Sequence, residues 1–290
     1  RASWGADELS LYGRFDFILA KDGTPKILEF NADTPTSLLE ASVIQWQWKE
    51  DVFPECDQFN GIHEGLVQSW KDIFPKKGEI HFAGALENNE DTGTLQYLAS
   101  TAMEAGFSTR VLDMQALDLQ NGRFFDPAGE LVNRCFKLYP WEWMVDESPD
   151  GCLAEMEWLE PIWKLVMSNK AILATLYELF PDSPYVLPCY LSRPRSGLFC
   201  KKPVFSREGH NVSVVDIRDW EEYVRIAETE GDYNTGAYVY QEYVEPTAYS
   251  GRYPVIGSWI IGGEAAGIGI RENRMEVTDN LSEFVPHIIG

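Results

Sequence analysis

Two neighbouring stretches near the start of the chain place charged and amide side chains at alternate positions. Arg14 and Asp16 lie in one stretch, and Glu29 and Asn31 end the next. Because alternate residues of a strand share a face, pairing of the two stretches would bring these side chains together. Two carboxylates and an amide oxygen form a hard oxygen site that suits Mg²⁺, and an adjacent arginine is suited to hold a phosphoryl oxygen. The competing interpretation is the solvent-exposed face of an ordinary hairpin.

A basic stretch further along the chain offers a second candidate site. Lys202 lies near the end of an apolar run and is followed by a polar loop that contains Arg207 and Gly209. Ammonium, guanidinium and backbone N–H groups at such a loop can surround a polyphosphate. The stretch matches neither a Walker A motif nor G-x-G-x-x-G, so an ordinary hairpin loop with a basic end is the alternative.

Two later stretches carry further candidates. Residues 240–244 alternate between apolar and polar types and could present their backbone to the edge of an adenine ring, although an ordinary strand has the same pattern. Residues 267–271 contain alternate glycines, which allow a ligand to approach closely. Arg271 ends that stretch and suits anion recognition, with a surface arginine as the alternative.

A hairpin is predicted to carry the first group of side chains. Apolar–polar alternation predicts strands over residues 11–20 and 26–30. A helix is predicted over residues 38–51, with Thr36 or Ser37 as its N-cap.

A β-α-β pattern follows the hairpin and its helix. It consists of a strand over residues 80–86, a helix over 92–105 that ends at Gly106, and a strand over 109–113. This rhythm predicts a small open α/β subdomain, with its ligand at the carboxyl ends of the strands.

The rest of the chain predicts a mixture of strands and helices. Residues 253–270 are nearly uncharged, but Gly262-Gly263 is a hairpin-turn signal, so two paired strands are expected instead of a membrane span. Further patterns predict helices beginning at residue 160 and covering 168–180 and 219–230, and strands over 200–205, 212–215 and 238–244.

Composition narrows the class of protein. The 290 residues include 46 acidic and 24 basic side chains, giving a formal net charge of −22, and 13% are aromatic. The aromatic content excludes a disordered acidic tail, and the charge argues against a nucleic-acid binder. The acidity favours either a cationic partner or simple solubility. Five cysteines without close pairs and the lack of a signal peptide predict reduced thiols in a cytoplasmic protein, and the start at Arg1 suggests a fragment.

Four long motifs occur in a fixed order along the chain. They cover residues 14–16, 28–37, 202–209 and 266–272, and shorter motifs lie at 138–143, 168–170 and 278–280. Together they resemble the synthetase domain of glutathionylspermidine synthetases, most closely the stand-alone homologues that lack an amidase domain. The resemblance runs from about Leu11 to the C-terminus.

The resemblance implies an α/β (α+β) fold of the permuted ATP-grasp type with an additional small open α/β substrate-binding subdomain. The permutation explains why the carboxylate hairpin precedes the basic loop. Residues 1–75 would form an N-terminal segment of the ATP-grasp lobe with the metal-carboxylate hairpin. Residues 76–160 would form the small subdomain, and residues 161–290 the nucleotide-binding lobe.

The resemblance also implies a role for each matching residue. Asp16, Glu29 and Asn31 would hold Mg²⁺, and Arg14 would lie on the transferring phosphoryl group. Substrate carboxylate or phosphate would be bound by Arg207 and Arg271. The other implied contacts are Lys170 and Lys202 with ATP phosphates, Gln241, Glu242 and Tyr243 with adenine, Thr34, Thr36 and Ser37 with the acid substrate, and Glu90 and Asp91 with the amine.

The implied activity is an ATP- and Mg-dependent ligation of a small, peptide-like carboxylate to an amine, such as a polyamine, through an acyl phosphate. No nucleic acid or membrane is implied. The chain departs from the family where Thr34, Thr36 and Ser37 replace serines and a cysteine, and where Glu90-Asp91 replaces a pair of glutamates. The alternatives are an ATP-binding protein or a phosphotransferase of the same fold that forms no amide.

Overall fold

The computed structural model describes residues 2–207, 209–219, 223–231, 233, 236–274 and 282–290. Glu208 and the motif at 278–280 therefore lie outside the described residues.

A five-stranded antiparallel sheet, the hairpin sheet, has the strand order Glu283–Val285, Glu264–Asn273, Tyr253–Ile261, Tyr12–Leu19 and Pro25–Asn31. Both predicted hairpins are confirmed. Gly262 and Gly263 form the second turn with φ of 58° and 91°, a conformation that favours glycine.

A second five-stranded sheet, the lysine sheet, carries the predicted basic stretch. Its strand order is Cys189–Tyr190, Tyr238–Glu242, Gly197–Pro203, Ser213–Ile217 and Tyr223–Glu228. The predicted helix over residues 219–230 is wrong, because Tyr223–Glu228 pairs antiparallel with Ser213–Ile217. Val224 and Ile226 are β-branched and suit extended backbone, and pairing with the neighbouring strand overrides the local pattern that predicted a helix.

A parallel sheet forms the predicted α/β subdomain. Its strand order is Ser108–Asp113, Glu79–Gly84, Arg134–Leu138 and Glu157–Leu159. A small sheet of Asp118–Gln120, Arg123–Phe125 and Leu131–Val132 is formed by the segment between strands Ser108–Asp113 and Arg134–Leu138. The crossover helix Asn89–Glu104 is capped by Asn88, whose side chain accepts a hydrogen bond from the Glu90 N–H over 2.9 Å. Gly106 follows the helix with φ of 96°, as its predicted C-terminal role requires.

The remaining helices differ from prediction mainly at their ends. Residues 38–51 are helical, but they comprise a π-helix, Glu40–Ile44, and an α-helix, Gln45–Val52. The helical residues begin at Leu38, directly after Ser37, one of the two predicted N-caps, and the Ser37 carbonyl accepts a hydrogen bond from the Ala41 N–H over 3.2 Å. Its φ of 64° differs from the extended backbone usual at an N-cap. Ser168 ends one helix and does not begin the next. The other helices are Ala2–Gly5, Ile62–Ile73, Trp141–Glu147, Lys164–Ser168 and Ile172–Leu179, with 3₁₀ turns at Met114–Ala116 and Gly151–Leu153.

The main hydrophobic core joins the hairpin sheet to the parallel sheet. Tyr12 and Trp259 of the first sheet pack in one cluster with Phe82 and Phe136 of the second, and helix Ile62–Ile73 contributes Trp70. The hairpin sheet combines strands from both ends of the chain, and the predicted division after residues 75 and 160 stays a prediction.

Two expectations from composition concern thiols and membranes. All five cysteines are free thiols, as predicted. Among the described residues, none of the helices is long and apolar enough to cross a membrane.

Candidate active site

A cleft of about 640 Å³ is lined by residues of both five-stranded sheets, by the loop that follows strand Pro25–Asn31, and by the start of helix Asn89–Glu104. It brings together all the predicted site residues except Asp91, which lies next to Glu90 in the helix. The lining set comprises Arg14, Asp16, Glu29, Asn31, Thr34, Thr36, Ser37, Glu90, Lys170, Lys202, Arg207, Gln241, Glu242, Tyr243 and Arg271. Their placement agrees with one composite site, while their individual roles stay predictions.

A buried carboxylate between two arginines forms one wall of the cleft. Asp16 accepts hydrogen bonds from Arg14 Nε and Nη2 over 2.6 and 3.0 Å, and from Arg271 Nη2 over 2.7 Å. Burial lowers the pKa of Arg14, but the Asp16 charge outweighs it and leaves that pKa above its ordinary value. Gly257 lies opposite Asp16, and a Cβ there would lie 2.7 Å from Arg14 Cδ. Sequence reasoning missed this requirement for glycine.

The second carboxylate is bound by a lysine and shares an amide with the first. Glu29 forms a 2.9 Å ion pair with Lys170. Asn31 Nδ2 lies 3.2 Å from both Asp16 Oδ2 and Glu29 Oε1. Burial raises the pKa of Glu29, but the charges of Lys170 and Lys202 prevail and lower it to about 2. The carboxylate is therefore ionised at neutral pH.

The donor set of this wall fits a hard divalent cation. Asp16, Glu29 and Asn31 offer two carboxylates and an amide within reach of one another, the chemistry that Mg²⁺ takes alongside substrate phosphates. Among the described residues, no group of three or more His, Cys, Asp and Glu side chains is arranged as a metal site. The protein alone thus supplies part of a coordination shell.

Lys202 is tied to the hairpin sheet through a glutamine. Its Nζ donates to Gln241 Oε1 over 2.6 Å and to the Leu28 carbonyl over 3.1 Å. Gln241 Nε2 in turn donates to the Ile27 carbonyl over 2.8 Å. Burial lowers the pKa of Lys202. Gln241 lines the cleft as predicted, but its side-chain amide is already engaged in holding this lysine.

The loop predicted to bind the acid substrate is held by two arginines. Arg14 Nη1 donates to the Thr36 carbonyl, and Arg207 Nη1 donates to Thr34 Oγ1, both over 2.5 Å. Ser37 adopts φ of 64°, a left-handed conformation that non-glycine residues adopt at an energetic cost. Such strain is typical of segments whose geometry serves a site.

Buried charges beneath this loop escaped the sequence prediction. Asp33 accepts a 2.6 Å hydrogen bond from Lys137 Nζ and a 2.9 Å bond from the Trp141 N–H. Glu160 accepts from the N–H groups of Leu11 and Tyr12 over 3.0 and 3.1 Å. Lys137 directly precedes the aromatic and acidic motif at residues 138–143, and this motif was the only feature of the sequence that pointed to a role for Lys137.

Replacement of Lys137 by methionine should destabilise the fold beneath the substrate loop. The Lys137 and Asp33 side chains are 0% and 1% exposed, so Asp33 would lose its cation and remain buried. Removing one partner of a buried ion pair costs about 3–5 kcal/mol. Urea unfolding measures this loss, and the exposed Lys76→Met provides a matched control with an expected effect within about 0.5 kcal/mol. Equal stability of the two variants would contradict a structural role for the pair.

A model of the glutathionylspermidine synthase preATP-grasp family matches residues 1–290. The chain belongs to this family. A Haemophilus influenzae relative named as an acid–amine ligase is 39% identical over an alignment of 300 positions. The alignment covers 98% of this chain and 76% of the relative. This family and its named relatives are ligases.

More distant relatives are longer proteins. Trypanothione synthetase of Crithidia fasciculata is 28% identical over 98% of this chain and 48% of its own length. The bifunctional glutathionylspermidine synthetase/amidase of Escherichia coli is 26% identical over 96% of this chain and 49% of its own length. The chain thus spans about half the length of these two relatives.

Solved structures support the predicted fold. A Methylobacillus flagellatus protein named as a γ-glutamylcysteine synthetase superposes with a TM-score of 0.63 at 10% identity, covering 99% of this chain and 82% of that protein. A glutathione synthetase-like effector of Globodera pallida superposes with a TM-score of 0.58, also at 10% identity, covering 98% and 77%. The predicted ATP-grasp fold is thereby confirmed, and at this identity the likeness concerns the fold alone.

Proposed function

We propose that this family member is an ATP- and Mg²⁺-dependent ligase that joins a small carboxylic acid to an amine through an acyl phosphate. The observation that carries the proposal is the convergence of five basic side chains in one cleft, beside the carboxylates of Asp16 and Glu29. That charge distribution suits a nucleotide phosphate chain and the charge that develops during phosphoryl transfer. Membership of a ligase family supports amide formation as the outcome.

The basic residues account for binding and transfer of the phosphoryl group. Lys170 and Lys202 would bind ATP phosphates, and Arg14 and Arg271 would stabilise charge on the transferring group. Asp16, Glu29 and Asn31 would hold Mg²⁺, which when bound neutralises phosphate charge. Arg207 and the threonines of the substrate loop would hold the acid substrate. A carboxylate oxygen attacks the γ-phosphorus, and the bond from that phosphorus to the ADP oxygen breaks.

Amide formation then needs only an amine and a proton acceptor. The amine nitrogen attacks the acyl carbon, the C–N bond forms, and phosphate leaves with the former carboxylate oxygen. Glu90, which lines the cleft, or its neighbour Asp91 would accept the proton released by the amine. This scheme needs no nucleophilic side chain. An acidic end of the cleft also suits a polyamine-like cation.

The test is ADP release measured with Mg²⁺ across panels of peptides and amines. Turnover is expected only when an acid and an amine are both present. ADP release that requires an acid alone and yields a stable phosphorylated product would indicate a phosphotransferase. ATP binding without turnover for any acid and amine would indicate a binding protein and contradict the proposal.

A further inference from the structure

Arg207 is held by contacts from two separate segments of the chain. Its Nη1 donates to Thr34 of the substrate loop, and its Nη2 donates to Glu142 Oε1 over 2.6 Å. Its guanidinium also lies 5.9 Å from the ring centre of Trp143. Glu142 and Trp143 belong to helix Trp141–Glu147, which lies in the chain between the last two strands of the parallel sheet, whereas Arg207 follows a strand of the lysine sheet.

The carboxylate that binds the guanidinium is not part of the cleft lining, and the ion pair is largely shielded from water. Arg207 and Thr34 line the cleft, but Glu142 is not among its described lining residues. The side chains of Arg207 and Glu142 are 28% and 17% exposed, so the ion pair is largely shielded from water. A shielded pair orients its members more firmly than an exposed one.

The arginine keeps donors available for a ligand. A guanidinium has five N–H donors, and Glu142 and Thr34 are its hydrogen-bond acceptors among the described residues. Arg207 Nε is buried and has no hydrogen-bond partner among the described residues. A buried N–H donor without a partner is stabilised when an acceptor binds it, and the carboxylate of an acid substrate offers two acceptor oxygens.

The backbone next to Arg207 is fixed independently. Lys170 Nζ donates to the Ser206 carbonyl over 2.7 Å, and Lys170 also pairs with Glu29. The loop is therefore anchored at Ser206, and the remaining freedom lies in the several rotatable bonds of the arginine side chain. Glu142 is the group whose charge restricts that freedom.

We propose that Glu142 is a positioning residue, which holds Arg207 against Thr34 so that the guanidinium is presented to the carboxylate of the acid substrate. This inference rests on the proposed function of the cleft. Glu142 acts through Arg207 and does not itself contact substrate. Because Arg207 would bind the substrate carboxylate through its guanidinium fork, release of that guanidinium should weaken binding of the acid.

Steady-state kinetics separate this role from general destabilisation. Glu142→Ala should raise the KM for the acid at least about tenfold while the KM for ATP changes less than about twofold, since the lysines and arginines that bind nucleotide are untouched. Glu142→Gln keeps an acceptor oxygen and should recover part of the loss. Asp146→Ala is a matched control, because it removes an exposed acid from the same helix and should leave both constants unchanged. Equal changes in both KM values would overturn the proposal.

A double-mutant cycle tests whether Glu142 acts through the arginine. The variant Arg207→Ala/Glu142→Ala should have the same KM for the acid as Arg207→Ala alone, because the residue to be positioned is gone. If the second substitution costs the same factor in both backgrounds, Glu142 acts independently and the inference fails.

Tryptic cleavage after Arg207 gives a readout that needs no activity. Cleavage of the folded protein there should be at least about threefold faster in Glu142→Ala or Glu142→Gln than in the parent chain or Asp146→Ala, because the side chain is released from its ion pair. Unchanged cleavage in both Glu142 variants would overturn the inference. Faster cleavage in a protein that shows no amine-dependent turnover would sustain the contact while contradicting the proposed function.

Discussion

Replacement of Asp16 by alanine is expected to reduce turnover by at least about 10³-fold and to lower the free energy of unfolding by about 3–5 kcal/mol. Asp16 accepts hydrogen bonds from Arg14 and Arg271, and its own side chain is only 4% exposed. Without it, two guanidinium groups would lie close together without their shared counter-ion. Steady-state ADP release and urea unfolding measure the two effects.

Two further variants test whether the effect of Asp16→Ala comes from the lost charge at this buried position. Asp16→Asn preserves the size of the side chain and should lose the same activity, because the charge between the arginines is removed. Glu245→Ala breaks an exposed 2.5 Å ion pair with Lys21 and should change stability by less than about 1 kcal/mol. Turnover by Asp16→Ala within tenfold of the parent chain would contradict its assignment to the Mg²⁺ site.

Replacement of Glu29 by glutamine is expected to weaken magnesium-dependent turnover by at least about 10²-fold. Glu29 is the carboxylate that faces Lys170, and the charges of Lys170 and Lys202 keep it ionised. Glutamine offers one neutral oxygen in its place, so half-maximal turnover should require a higher Mg²⁺ concentration. Titration of activity with MgCl₂ measures the shift. An unchanged Mg²⁺ requirement would exclude Glu29 from the metal site.

The same variant has a predicted dependence of stability on pH. The pKa of Glu29 falls from an ordinary 4.5 to about 2 in the folded protein, so the ionised carboxylate stabilises the fold at neutral pH. This contribution is complete above pH 4.5 and is lost as the pH falls from 4.5 towards 2. The stability gap between the parent chain and Glu29→Gln should therefore narrow in that window. A gap that stays constant down to the acid limit of folding would contradict the ion pair.

The carboxylate hairpin could be predicted because its pattern is local. Alternation over a few residues places Arg14 and Asp16 on one face, and pairing of the two strands was expected to bring Glu29 and Asn31 to that face. The structure pairs Asp16 with Glu29 and Arg14 with Asn31. The resemblance to a ligase family located most of the cleft for the same reason, since its motifs are continuous stretches of sequence.

Contacts between distant segments could not be predicted. Asp33 meets Lys137 across 104 residues of chain, and Arg207 meets Glu142 across 65. Gly257 is needed because Arg14 occupies the space beside it, which only the paired strands reveal. The wrong helix at 219–230 has the same origin, because a neighbouring strand decided its conformation.

The most direct test of the account follows oxygen from the acid to the phosphate. The acid and amine that support turnover are supplied with ¹⁸O in the carboxylate, and products are analysed by mass spectrometry. An acyl-phosphate ligase should yield an amide that retains one labelled oxygen and inorganic phosphate that carries the other. Unlabelled phosphate, or a phosphorylated acid that accumulates without amide, would contradict the account.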